Sequence, residues 1–567
     1  MQNQIADILS EKLTANKTKP ATKYENPMSA IAEVEQSIFA ALETYANVHR
    51  GSGHFSMVTT ALYEKAREIV LHFSGKDNGK YCVVFCTPRR CKVLAQALEP
   101  EDHKIITSEE VGLKLGVTAL IVRKSKLPKG NPFEPGGGTT KLYGADWVFW
   151  DKVPERFESG TPAIINIIAF AKALVLKKSS GVAVFNHIKD NSTTVHTLLY
   201  SDSWPNANGH NLLEKLLETR IGRNQMVPTM GGTKKFIHLD SSASSPTFEP
   251  VFNVFTETLG QSGKFQFEMI QEVKKICLET FGAGADDFEV IFTSNTTEAI
   301  NLAAQNLSLK PTGDIEPVIM STVLEHSSND LPWRQLSNCS IIRLKNNKEG
   351  FFDLKEMERL LEDYNQSHRH GKKRIVMVAV SGASNVLGAC NDIHQIGKLT
   401  RRFGAQLLVD AAQLSAHRKI DMTASNIDCL AFSGHKIYAP FGTGVLIIRK
   451  SHLHFGNQIL NEINNSANEN PGGIAALGKA LVLMRKIGFE LIQKLELRHT
   501  KKLLDELEKV AGITIYGAKP SDADHLGNRI GVVAFDFKNK MAGKIARNLA
   551  MSGGIGVRSG CLCAHLL

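Results

Sequence analysis

Short, continuous apolar runs separated by segments of helical periodicity restrict the folds open to this chain. The runs are YCVVFCT, VTALIVRK, VIMSTVL, RIVMVAVS, QLLVDAA, CLAFSG and GVLIIRK. Uninterrupted apolar strands are covered on both faces, so an α/β architecture with a mostly parallel sheet between helices is expected. A chain of 567 residues exceeds one ordinary core, and more than one domain is expected.

The repetition of two blocks sets the domain plan. EEVGLKLGVTALIVRK, ending at Lys124, matches HKIYAPFGTGVLIIRK, ending at Lys450, and each is followed by a helical KAL, at Lys172–Leu174 and Lys479–Leu481. VVFCTPRRCKVLAQAL, ending at Leu98, parallels VIFTSNTTEAINLAAQNL, ending at Leu307. The two blocks are almost contiguous in the first half and far apart in the second, so the first half reads as a truncated copy. The expected division is a polar N-terminal arm over residues 1–28, a degenerate half over 29–235 and a complete domain over 236–567. The Gly- and polar-rich stretch Val227–Lys235 is the expected join.

Charge and cysteine usage exclude several classes. The net charge of +10 is spread along the chain, which favours small anions such as phosphate esters; without a nucleic-acid motif, no nucleic-acid partner is expected. The nine cysteines are scattered and mostly lie in apolar runs, as reduced thiols do in the cytoplasm. The N-terminus lacks the pattern of a signal peptide, and the most apolar run, PAIINIIAFAKALVL, is short for a bilayer and carries Lys172. A cytoplasmic protein with no membrane partner is the expectation.

The second half holds what a phosphate-bearing aldehyde cofactor needs: a lysine for a Schiff base, phosphate donors at a helix start, an acid and a flat group. In FTSNTTEAI, Thr296 and Thr297 open a helix after a strand, and Glu298 suits the positive end of its dipole. In LLVDAAQ, Asp410 ends an apolar strand, where open α/β sheets place their sites, although an ordinary helix cap has the same pattern. LEHSSNDLPW supplies His326, as a ring to stack, a proton carrier or a structural histidine; SNVLG supplies Asn385, as an amide donor or a turn residue. FSGHKIYAPFGTG sets Ser433, His435 and Lys436 before a glycine turn.

Together these motifs resemble the class V aminotransferase family of fold-type I pyridoxal-phosphate enzymes, in its cysteine desulfurase, selenocysteine lyase and isopenicillin-epimerase-like branch. The resemblance covers residues 236–567 and implies a seven-stranded, mostly parallel sheet followed by a smaller C-terminal α+β part. It implies pyridoxal 5'-phosphate on Lys436, with Ser433, His435, Thr296 and Thr297 at the phosphate and His326 stacked on the ring. Asn385 and Gln413 would lie near the phenolic oxygen and Asp410 at the ring nitrogen. LDSSASSP implies that Asp240, Ser242 and Ala243 border the amino-acid pocket, together with Arg558. The tail GVRSGCLCAHLL resembles the segment bearing the desulfurase nucleophile, which places Cys563 as the sulfur acceptor beside Arg558. Cys561 is an additional thiol. The Cys-x-Cys-x-His spacing is too tight for a zinc site, and no metal is expected.

The resemblance therefore implies a small amino-acid substrate and a sulfur acceptor, with an aminotransferase or epimerase and a non-catalytic scaffold as the alternatives. Family members continue past the cysteine segment to an arginine that binds the substrate carboxylate; this sequence ends at Leu567, so an incomplete C-terminal end or another carboxylate-binding group is expected. In the first half Glu110 falls opposite Lys436, Glu109 opposite His435, and Arg89 and Arg90 opposite the threonine pair, so no Schiff base can form there. That half nevertheless carries PFEPGGGTTKL and RFESGTPAI, which resemble segments that reach a neighbouring subunit's cofactor. Gly136–Thr140 are either a simple turn or a loop lent to the Lys436 site, making the chain a homodimer subunit or an intra-chain pseudo-dimer.

Overall fold

In the first half, apolar residues build a small sheet from Tyr81–Cys86 (β1), His103–Thr107 (β2) and Thr118–Arg123 (β3), in the order β1-β3-β2 and antiparallel throughout. Strands β1 and β3 are buried, whereas β2 is an edge strand with Lys104 and Ile105 exposed. The computed structural model describes residues 27–48, 51–180, 193–201, 203–311, 313–337 and 339–567. Most of the expected N-terminal arm lies outside these residues; the helix Pro27–Leu42 begins inside its C-terminal limit and packs, with His54–Ser74, on the helix Ile164–Ser180. A hairpin of Thr140–Tyr143 (β4) and Val148–Trp150 (β5) follows the small sheet. The stretch expected as a join is itself a hairpin, Met226–Thr229 (β6) with Gly232–Lys235 (β7): its alternation of Gly and polar residues serves a tight turn. The short strand Ile237–His238 (β8) comes next.

The second half forms the main sheet from Phe288–Thr293 (β9), Glu316–Thr322 (β10), Ser340–Leu344 (β11), Lys373–Ser381 (β12), Gln406–Asp410 (β13), Cys429–Ser433 (β14) and Gly444–Arg449 (β15). Its order is β11-β10-β12-β13-β14-β15-β9, and only β15 runs antiparallel to its neighbours. The reason is connection length. Parallel crossovers need a dozen or more residues, and the short link from Gly434 to Thr443 permits only a reversal. Lys436 sits in that link.

The pairing of β3 with β1 and β2 has the same register pattern as that of β15 with β9 and β14. Tyr81 faces Arg123 and Cys86 faces Thr118, as Phe288 faces Arg449 and Thr293 faces Gly444. His103 faces Val122 and Thr107 faces Thr118, as Cys429 faces Ile448 and Ser433 faces Gly444. The contact between the halves is also reciprocal. Gly116 (φ +63°) leaves no room for a side chain because its Cβ would lie 2.8 Å from Cβ of Asn470, and Gly442 (φ +68°) would meet Cβ of Ala163 at 2.4 Å. Ala163 and Asn470 each immediately precede the KAL-bearing helix of their own half, Ile164–Ser180 and Pro471–Ile487. At the centre the Asn166 amide donates to Leu115 O (2.8 Å) and Asn470 Oδ1 (3.1 Å).

The C-terminal part pairs Ile513–Tyr516 (β16) with Ala534–Phe537 (β17) and continues through the helix Ala542–Gly553. Ile555–Gly556 (β18) pairs with β8, which brings the tail beside Asp240. Among the described residues no helix is long and apolar enough to cross a membrane.

Candidate active site

The ends of the parallel strands converge on a cavity of about 1020 Å³. Asp410 ends β13, Ser433 ends β14, His326 follows β10, Asn385 follows β12, and Thr296 begins the helix Thr296–Ser308 after β9. Asn295 caps that helix with Oδ1 on Glu298 N–H (3.0 Å). All of the residues expected from the sequence line the cavity, Lys436 and Cys563 included.

At the helix start, the Thr296 N–H donates to Ser433 Oγ at 2.6 Å, and the two hydroxyls are also 2.6 Å apart. The Thr297 and Ser328 hydroxyls are 2.7 Å apart, and Ser328 Oγ lies 2.9 Å from His326 Nδ1. A helix N-terminus lined with hydroxyls is a natural anion cradle. The first half completes it. Gly137 N–H donates to Ser328 Oγ (3.2 Å), a Cβ on Gly136 would fall 2.3 Å from Thr297 Cγ2, and one on Gly137 would fall 2.7 Å from His326 Cε1.

Burial sets the electrostatics at the other end. Lys436 is half-buried, and desolvation pulls its ammonium down to about 8, against the opposing pull of Asp410. Asp410 is pushed above the usual carboxyl range by burial, in spite of the Ala412 N–H that it accepts at 2.9 Å. Desolvation lowers His435 to about 3, so its imidazole is neutral, with Nδ1 3.3 Å from Ser244 Oγ. Asp240 is raised to about 6 by burial, which the charges of Arg558 and Lys436 only partly offset.

Two of the lining residues also brace neighbouring segments. Gln413 Nε2 donates to Ser242 O (2.9 Å), fixing the segment of Asp240, Ser242 and Ala243. Asn385 Nδ2 donates to Leu562 O (2.8 Å), so it secures the cysteine segment. There Ala564 N–H bonds back to Cys561 O (3.0 Å), and the two residues between, Leu562 and Cys563, have positive φ, the hand of a type I′ turn. Cys563 O accepts from Ser327 N–H (2.7 Å) and from the Tyr143 hydroxyl of the first-half hairpin (3.4 Å). Tyr143 also stacks on His565, with centroids 4.7 Å apart.

Pattern reading missed a buried charge cluster across the halves. Arg89 Nη2 contacts Glu134 and lies 2.9 Å from Glu298 Oε1, while Arg90 Nε is 2.9 Å from Glu134 Oε2. Glu298 Oε2 accepts from the N–H and hydroxyl of Ser294 at 2.8 and 2.7 Å. Burial alone would raise Glu298; Arg89, Arg90 and Ser294 outweigh it and bring the carboxyl down to about 2. The Asn295 amide reaches Ser159 O and Thr161 O of the first half, both at 3.2 Å. The only sequence trace was the alignment of Arg89 and Arg90 with the threonine pair, which gave no partner for either.

The arrangement fits pyridoxal phosphate. A hydroxyl-lined helix start can take the phosphate, the Lys436 amine the aldehyde and the strand-end acid the ring nitrogen, while the side chain missing from Gly137 keeps space open beside His326.

Comparison with known proteins agrees. The family model described as aminotransferase class-V matches residues 111–202 and 237–567. A probable cysteine desulfurase of Halalkalibacterium halodurans is 31% identical over 301 residues, covering 49% of this chain and 69% of that protein. A cysteine desulfurase of Salmonella agona is 29% identical over 322 residues, 52% of this chain and 74% of its own. The solved apo structure of the cysteine desulfurase from Thermococcus onnurineus NA1 superposes with a TM-score of 0.52 at 25% identity, covering 64% of this chain and 90% of that one. The matched residues include the lysine link, the helix start and the cysteine turn that meet in the cavity, and the chain belongs to the aminotransferase class-V family of pyridoxal-phosphate enzymes.

Proposed function

We propose that this chain is a cysteine desulfurase-like enzyme that takes L-cysteine at Lys436 and receives its sulfur on Cys563. One observation carries the reading: Cys563 lines the same cavity as Lys436, close enough for the thiol's charge to act on the amine. When bound, pyridoxal phosphate supplies an amine-accepting aldehyde and an electron-withdrawing ring. Thr296, Thr297, Ser433 and His435 would hold its phosphate, Asp410 its ring nitrogen and His326 its ring face. Lys436, held near 8 by burial, can lose and regain a proton at Nζ close to neutral pH, as removal of an α-proton requires. Arg558 faces Asp240 and Lys436 and would pair with the substrate carboxylate. As a thiolate, Cys563 attacks the substrate's sulfur, forming an S–S bond as the carbon–sulfur bond breaks; the electron pair stays with the carbon skeleton, which is released as alanine after protonation.

In this reading residues 29–235 are a degenerate copy acting as a built-in partner to the catalytic domain 236–567. Its support is the shared strand register, the reciprocal glycine contacts and the approach of Gly136–Thr140 to Thr297, Ser328 and His326. One site per chain follows, because Glu110 stands where a second lysine would be needed. A cytoplasmic location is supported by the nine cysteines, which form no disulfide among the described residues.

The test is the near-visible absorption of the cofactor-loaded protein with and without L-cysteine. The band is expected to vanish in Lys436→Ala; Cys563→Ser is expected to keep the band and lose sulfide release. Sulfide release by Cys563→Ser at the wild-type rate would overturn the assignment.

A further inference from the structure

A buried carboxylate just outside the cavity lining has no part in the reaction above. Glu325 follows β10, is 0% exposed, and accepts three side-chain hydrogen bonds. Its Oε1 takes the Thr322 hydroxyl (2.8 Å); its Oε2 takes the Asn329 amide (2.6 Å) and the Ser381 hydroxyl (2.7 Å). Burial pushes this carboxyl up to about 7, against the lowering effect of the three donors. Its charge therefore opposes folding in full above that pH, a cost that an amide of the same shape would avoid.

The donors show what the carboxylate does. Glu325 and Asn329 stand at the two ends of the turn that His326 caps, and their side-chain bond closes it. Inside the turn, Ser328 N–H donates to His326 Nδ1 (3.2 Å) and the Ser328 hydroxyl lies 2.9 Å from the same atom, so the turn's backbone sets the plane of the imidazole. Asn329 is held from its other side by the indole N–H of Trp333, 3.2 Å from Asn329 Oδ1. Ser381, the third donor, ends β12, stands beside Asp410 in the register of β12 with β13, and lines the cavity. The next N–H, of Gly382, donates to Asp410 O (2.8 Å). One carboxylate thus joins the turn bearing His326 to the strand end beside Asp410.

We propose that Glu325 is a positioning residue for the cofactor, which holds His326 and Asp410 in one fixed relation, the first to the ring's face and the second to its nitrogen. This rests on the seating of pyridoxal phosphate proposed above and is independent of the amino acid that the enzyme uses. Two groups that must keep one geometry toward a flat ring gain from a shared buried anchor, because neither then moves alone.

The experiment loads the full chain with saturating pyridoxal phosphate and reads the near-visible circular dichroism per bound cofactor. That signal reports the asymmetry of the ring's seat and does not change with the fraction of protein unfolded. His326→Ala, the reference, is expected to lose most of it. Glu325→Met removes every acceptor and is expected to lose at least about half. Asn329→Asp sets two carboxyls against each other across the turn and is expected to lose as much. Adding Glu325→Gln to Asn329→Asp restores a donor facing an acceptor, and the signal is expected to return to within about a fifth of wild type. The Asn329 pair decides even where Glu325→Met fails to fold. A wild-type signal in Glu325→Met or Asn329→Asp, or a double variant no better than Asn329→Asp, would overturn the proposal; a loss in His326→Ala would then leave the seating of the ring standing. A wild-type signal in His326→Ala would overturn that seating, and the proposal with it.

Discussion

Replacing Arg89 with methionine tests whether the first half holds the cofactor cradle of the second. Arg89 contacts Glu134 and Glu298 where all three side chains are largely buried, so its loss leaves two carboxylates facing one guanidinium, that of Arg90, and the hydroxyls of Ser294 and Thr87. Glu298 is lowered from 4.5 to about 2 in this setting, which corresponds to about 3 kcal/mol favouring its charged form. Orphaning a buried charge typically costs about 3 to 5 kcal/mol, and the two figures agree in scale. Glu298 tethers Ser294 immediately before Asn295 and Thr296, so part of this energy is expected to appear in cofactor binding. If all of it did, pyridoxal phosphate would bind roughly a hundredfold more weakly. Urea unfolding and cofactor titration of Arg89→Met, Glu298→Gln and the double variant separate the contributions. The double variant should lose less than the sum of the single ones by about 1 to 3 kcal/mol. Wild-type stability and affinity in Arg89→Met, or strict additivity, would refute the coupling between the halves.

Two further outcomes follow from single groups. Gly137→Val would press a side chain onto His326 Cε1, 2.7 Å from the new Cβ, and is expected to weaken cofactor binding by about 1 to 3 kcal/mol; a titration curve matching wild type would exclude that contact as part of the site. Lys436, lowered from 10.5 to about 8, is protonated in both folded and unfolded chains below pH 8, where its burial opposes folding fully. Between pH 8 and 10.5 the folded chain binds fewer protons than the unfolded one, so stability gains about 3 kcal/mol across that window. In cofactor-free protein, Lys436→Met should therefore exceed wild type in stability at pH 7, with the gap closing by pH 10.5. A constant gap in denaturation experiments at the two pH values would contradict it.

The main sheet was legible because its strands are buried on both faces, so their apolar runs needed no tertiary information. The lysine link, the threonine pair and Asp410 were legible for a related reason: strand ends in an open sheet are where chemistry collects, and each residue type has a definite job there. Less was legible wherever a partner lies far away in sequence. Glu298 read as a helix-dipole carboxylate because nothing local announces Arg89. Asn385 lines the cavity as its motif implies, but its bond to Leu562 O gave no signal, because that partner is supplied only when the tail folds back through β18. Tyr143 gave no signal, since its hydroxyl meets Cys563 O only through the docking of the two halves. The hairpin at Val227–Lys235 shows the converse limit, because glycine and polar residues mark a chain reversal and a linker alike.

The reciprocal pair of contacts, Gly116 with Asn470 and Gly442 with Ala163, has the pattern of a two-fold interface, but both of its sides are encoded in one polypeptide. Association of the halves is intramolecular and does not weaken on dilution, as a bimolecular interface would. In a dimer of identical chains every substitution appears twice and alters both sites together. Here each glycine changes independently, so a substitution at Gly116 leaves the Gly442 contact as it was.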